Sequence, residues 1–116
     1  MDQATLDALR RRLEEERENV VAQLTDMGVD PQTGAPLSVS FEQGFADSGQ
    51  ATAEKARVLA MAEGLVETLH EVEAALVRIR EGTYGKCASC GAEIPVERLE
   101  ARPVASLCMS CKQRLG

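Results

Sequence analysis

The sequence predicts a mainly α-helical protein: an antiparallel coiled-coil helical hairpin carried on a small C-terminal four-cysteine zinc-finger module. Three observations lead there. Two heptad-like apolar stripes lie within the first 81 residues, all four cysteines fall between Cys87 and Cys111, and aromatic residues make up only 3% of the 116. With no Trp, one Tyr and two Phe, a core must be assembled from Leu, Val, Ile, Ala and Met. That suits long packed helices better than a sandwich or barrel. The expected division is a helical hairpin over 1–81, with the loop 28–47 at its tip, and a zinc-finger domain over 82–116.

The first stripe is Leu6, Leu9, Leu13, Val20, Leu24 and Met27. Its steps of about 3 and 4 residues follow the helical period, and it is interrupted where Glu16 takes a core-type position. Gly28 reads as the C-cap and Pro31 stops the helix. The second stripe is cleaner: Leu65, Leu69, Val72, Leu76 and Ile79, extended backwards by Ala62 and Val58 and closed by Gly82. It predicts a helix from about 50 to 81. Two narrow stripes bury one another when the helices run antiparallel. Gly64 inside the second helix costs about 1 kcal/mol relative to Ala, in return for a close approach or a kink. RRRLEEERE, with pairs such as Arg10–Glu14, reads as a solvated face. His70, the lone histidine, reads as a rim side chain.

Between the helices lies GVDPQTGAPLSVSFEQGFAD, a connector of a length that tends to be functional or disordered. It holds both Phe41 and Phe45, expected either to cover the hairpin end or to form a small apolar probe. DSGQ, residues 47–50, has the form of a capping box, with Asp47 as N-cap and Gln50 reaching back. In a hairpin fastened at the other end by metal, Asp47 is also carried far from the fastening.

Charge is unevenly spread. The formal net charge is −6, concentrated in residues 1–81, while the cysteine-bearing end is slightly basic and becomes about neutral once four thiolates hold a divalent ion. Neither part has the basic footprint of phosphate-dominated DNA binding, nor the aromatic platforms of a single-strand binder. No signal peptide and no apolar run long enough for a membrane span is evident. A cytoplasmic location is expected. No nucleophile, base and oxyanion site assemble, so an enzyme is not expected.

Cys87, Cys90, Cys108 and Cys111 form two Cys-x2-Cys pairs seventeen residues apart, the spacing of a zinc site. Two residues between thiols let both sulfurs of a knuckle face one ion, and Gly91 suits the positive-φ position of the first knuckle. Disulfides or a redox pair are the competing readings of the same residues. Four thiolates leave no open position, which points to one structural Zn²⁺.

The segment YGKCASCGAEIPVERLEARPVASLCMSCK, residues 84–112, resembles the signature of the DksA/TraR family of bacterial zinc-finger transcription factors, in its first knuckle, Ile94, RLEARP and closing LCxxCK. Extending less specifically over the second helix and connector, the likeness is closest to short members. It implies a coiled-coil hairpin on a zinc base that enters the secondary channel of RNA polymerase, where acidic tip residues modulate initiation without direct DNA binding. Asp47 falls on the second aspartate of the family's tip pattern, while Gly44 and Gly49 stand where an aspartate and an alanine are usual. For a guanosine tetraphosphate site at the polymerase interface, Arg102 and Lys112 match two basic positions and Arg98 a nearby one; Glu71 replaces a lysine. The alternative is a zinc-dependent protein–protein interaction module that docks elsewhere on RNA polymerase or on another complex such as the ribosome.

Overall fold

The computed structural model describes residues 1–37 and 51–115, apart from the side chains of Ala51 and Thr52. Helices α1 (Gln3–Asp26), α2 (Ala51–Glu81), α3 (Val96–Ala101) and α4 (Met109–Leu115) follow one another. No strand is present among the described residues, only two isolated bridges, Val29 with Pro36 and Lys86 with Glu93. Phe41, Phe45, Asp47 and Gln50 lie outside the described residues.

Helix ends follow local rules. Asp2 caps α1, its carboxylate accepting from the Thr5 N–H at 2.8 Å, which satisfies one of the orphan donors of the first turn. Hydrogen bonds from Thr5 hold the Asp2 carboxyl below the usual carboxylate range. At the other end Gly28 adopts φ +79°. Its N–H donates to Thr25 O at 3.0 Å, and Val29 N–H donates to Leu24 O at 3.2 Å. This is a Schellman ending, with Val29 and Leu24 supplying its apolar contact. Helix α2 ends the same way, on Gly82 at φ +79°, with Gly82 N–H to Ile79 O and Thr83 N–H to Arg78 O at 3.2 and 2.9 Å.

The chain forms two compact units. One comprises Arg17–His70, and its core is Val20, Leu24, Val29, Ala62, Val66 and Leu69. Here the end of α1 packs against the first part of α2. The start of the connector belongs to this unit as a tight turn rather than a loose loop. Asp30 N–H donates to Ala35 O at 2.8 Å, Gly34 N–H to Asp30 O at 2.7 Å and Leu37 N–H to Gly28 O at 2.8 Å. Asp30 and Thr33 add side-chain acceptors for Gln32 and Ala35 N–H, as short polar residues do in turns. His70 is exposed and donates through Nε2 to Gln32 O at 3.0 Å, pinning this turn to α2.

The other unit comprises Met1–Glu16 and Glu71–Gly116. Leu9 and Leu13 of α1 meet Val72 and Ala75 of α2, and Tyr84, Ile94, Leu99 and Ala105 of the cysteine-bearing segment complete the core. In each unit the two long helices run antiparallel. The units divide in α1 at Glu16, which is exposed where the apolar stripe is interrupted. In α2 the buried line differs from the heptad expectation. Ala62, Val66, Leu69, Val72 and Ala75 are buried, whereas Leu65, Leu76 and Ile79 are half-buried and pack against the margins. The face in contact is therefore broader than a two-position seam, as expected for a helix covered by more than one neighbour. Of the solvated charge pairs, Arg10 sits between Asp7 at 3.1 Å and Glu14 at 3.4 Å.

Candidate metal centre

The first cysteine pair is set by a short bridged turn. Cys87 N–H donates to Ala92 O at 2.7 Å and Gly91 N–H to Cys87 O at 2.9 Å. Gly91 takes φ +78°, the left-handed conformation that only glycine adopts without strain, so Cys87 and Cys90 face one side. The second pair needs no such residue. Helix α4 begins at Met109, between Cys108 and Cys111, and Lys112 N–H donates to Cys108 O at 2.9 Å. One helical turn brings both sulfurs to the same face. Ala88 N–H to Ser106 O at 2.8 Å ties the two pairs together.

All four Sγ atoms lie within 4.8 Å of one another, and Cys90 Sγ is 3.7 Å from Cys108 Sγ. A tetrahedron with Zn–S bonds of about 2.3 Å has edges of roughly 3.8 Å, so the set fits one zinc ion. Cys87 and Cys111 are buried, Cys108 is half-buried and Cys90 is exposed. Electrostatics point the same way. The backbone N–H groups of Cys108 and Cys90 hold the Cys87 thiol down to about 6. Cys90 is drawn down by the Ala92 N–H, but hydrogen bonds with the Cys111, Cys87 and Cys108 thiols push it up to about 11. Cys111 is lowered, chiefly by its hydrogen bond with Cys108. Four clustered thiols cannot all ionise alone; a dication removes that conflict. When bound, the ion cross-links the two pairs and supplies folding energy.

The segment between the pairs is suspended from side-chain donors. Arg12 Nη1 donates to Glu100 O at 2.9 Å, Tyr84 Oη to Pro103 O at 2.8 Å, Arg78 Nη2 to Val104 O at 3.4 Å and Arg98 Nε to Leu107 O at 3.2 Å. Burial lowers the pKa of Arg78 and raises that of Tyr84. Arg12, Arg78 and Tyr84 were not singled out by sequence pattern. The one available hint was an arginine, Arg78, inside the apolar end of α2.

Arg98, Arg102 and Lys112 line one surface recess of about 270 Å³ together with Arg78 and Glu71. Arg102 Nη2 pairs with Glu71 Oε2 at 3.4 Å, and Arg98 Nη1 donates to Met109 Sδ at 2.9 Å. Asp47 lies outside the described residues.

Comparison with known proteins agrees with this geometry. Residues 82–115 match the family model described as prokaryotic dksA/traR C4-type zinc finger. Over 44 residues, 38% of the chain, the sequence is 46% identical to the RNA polymerase-binding transcription factor DksA of Escherichia coli (strain K12). The same length is 48% identical to that of Buchnera aphidicola. These matches span only 29% of the length of each relative. An uncharacterized protein of Aquifex aeolicus is 29% identical over 115 residues, 99% of this chain and 79% of that one. The fold is similar to that of transcription factor DksA2 from Pseudomonas aeruginosa, with a TM-score of 0.78 and 26% identity, covering 99% of this chain and 85% of the other. The four cysteines are thus a closed C4 site for one structural zinc ion.

Proposed function

We propose, from the premise that this chain is a DksA/TraR-family zinc-finger protein, that it is a transcription regulator that binds RNA polymerase. One observation carries the reading: over 44 residues the chain is 46% identical to factors named for binding that enzyme, within a fold similar over 99% of the chain to that of a transcription factor. It regulates rather than catalyses, works in the cytoplasm and does not bind DNA directly, in keeping with the acidic balance of the sequence.

In the finer form of the proposal, residues 1–81 are the part that reaches into the secondary channel, with 28–47 as its tip, and residues 82–116 are the docking base. Asp47 is the tip carboxylate, offered to a site rich in metal and nucleotide where charge-assisted contacts are strong. The support for this role is Asp47's position in the sequence. Arg98, Arg102 and Lys112 are proposed as a weak guanosine tetraphosphate contact, supported by their shared recess. Glu71, paired with Arg102 in the same recess, opposes a polyphosphate there.

A cross-linker at position 47 of the zinc-loaded protein, mixed with RNA polymerase, tests the proposal. Labelling of the catalytic cleft is the expected result. Labelling confined to peripheral surfaces overturns channel entry, and absence of co-elution with the polymerase overturns the binding function itself. Asp47→Asn is expected to bind with unchanged stability and lose regulation. Asn caps a helix as well as Asp does, so capping is read from Asp47→Ala: a stability loss of about 0.5–2 kcal/mol in that variant would mark Asp47 as a helix cap.

A further inference from the structure

We propose that Arg114 is a positioning residue of the metal centre, its guanidinium holding the Cys111 thiolate in the metal-bonded form and shielding it from electrophiles. Arg114 lies three residues beyond Cys111 in α4, a spacing that puts two side chains on one helix face. Its Nη2 donates to Cys111 Sγ at 3.4 Å. Cys111 is only 1% exposed, yet its side chain lines a surface recess of about 160 Å³ whose other walls are Ser89, Arg114 and Leu115. The side chain that borders this recess is thus also a donor to the sulfur behind it.

Charge gives this contact its direction. Four thiolates around a divalent ion carry a formal charge of −2, which a neighbouring cation stabilises. Among the described residues Arg114 is the cationic side chain that donates to a ligand sulfur. A charge-assisted N–H···S bond withdraws electron density from the sulfur lone pairs, and outer partners of this kind tune metal ligands. Cys90, at the opposite extreme, is exposed. The four ligands should therefore differ in reactivity, with Cys90 the most open to attack and Cys111 the most guarded.

The test uses the full zinc-loaded chain and substoichiometric N-ethylmaleimide. In that reaction the thiolate sulfur adds to an alkene carbon, a C–S bond forms as the C=C π bond is consumed, the adjacent carbon takes a proton from water, and the Zn–S bond is lost. Modification at each cysteine is mapped by mass spectrometry, and zinc release is followed with a chromogenic chelator. In the wild type, Cys90 is modified first and Cys111 last. Arg114→Gln is expected to raise Cys111 modification roughly three- to tenfold, as loss of a charge-assisted bond to a thiolate implies. Arg114→Lys restores most of the protection, and Leu115→Ala, which opens the same recess without removing charge, leaves it in place. Unchanged Cys111 reactivity in Arg114→Gln overturns the proposal. So does failure of Arg114→Lys to rescue, or a Leu115→Ala variant as reactive as Arg114→Gln. If Arg114→Gln no longer holds zinc while Arg114→Lys does, the positioning role stands on affinity instead.

Discussion

Tyr84 and Pro103 are joined by a 2.8 Å hydrogen bond from the phenol hydroxyl to the proline carbonyl. The ring of Tyr84 is buried in the core that α1 and α2 share with the cysteine-bearing segment, so this one side chain both fills that core and anchors the chain just after RLEAR. Removing the hydroxyl alone leaves the ring in place and the half-buried Pro103 carbonyl without this donor. Tyr84→Phe is expected to cost about 1 kcal/mol without changing zinc stoichiometry. Urea denaturation of the zinc-loaded protein, with metal analysis alongside, checks both parts.

Leu99 is fully buried among Leu9, Leu13, Ile94 and Ala105. It sits on a six-residue helix that is too short to be stable alone, so its burial holds α3 in place. Leu99→Ala is expected to destabilise by about 2–5 kcal/mol, the range for emptying a packed leucine site. The measure is the denaturation midpoint. A loss below about 1 kcal/mol would mean that the site collapses or was never well packed.

Two glycines of α2 and its end should respond in opposite senses. A Cβ on Gly64 meets no atom within 4 Å, so neither steric crowding nor a close neighbour accounts for glycine there. Gly64→Ala is expected to stabilise by about 1 kcal/mol through helix propensity. Gly82 is equally open around its Cβ position but adopts φ +79°. Gly82→Ala is expected to cost about 1–2 kcal/mol through backbone strain alone. Thermal unfolding of the two variants side by side reads the difference in sign.

Zinc affinity should fall in a stepped manner as the pH is lowered. In the metal-free cluster Cys87, held at about 6, is already ionised near neutrality, while Cys90, at about 11, keeps its proton. Loading at pH 7 therefore expels the Cys90 proton but little from Cys87, because metal ligation requires thiolates. Once the pH drops through the Cys87 value, that thiol must also lose a proton on binding. The slope of log affinity against pH is then expected to steepen by about one below pH 6. Chelator competition between about pH 5 and pH 8 measures it. A constant slope across that range would show that Cys87 is not held down. Stripping the metal is expected to release the turn around Gly91 and the start of α4 first, since the ion cross-links the two pairs; amide exchange at Cys87, Ala88 and Gly91 reports this.

What could be read from the sequence is what short-range physics encodes. Gly28 and Gly82 mark helix ends because only a left-handed residue lets the last carbonyls find donors, and those bonds span a few residues. The four cysteines declare a metal site because chelation sets the spacing within each pair. The apolar stripes announce two long helices, and the break at Glu16 coincides with the division between two cores.

Tertiary structure decided everything that depends on a partner distant in the chain. Val66 and Ala75 are buried although a strict heptad passes them over, because what covers α2 is wider than one facing helix. The turn from Gly28 to Leu37 is ordered by Val29 entering the core and by the contact from His70, neither of which a run of turn residues specifies. Arg12 reaches Glu100, 88 residues away, and Arg114 finds the Cys111 sulfur only because α4 forms through the second cysteine pair. Periodicity records which face of a helix is apolar. Which carbonyl, thiolate or carboxylate a lone charged side chain will meet is settled by where the folded chain returns.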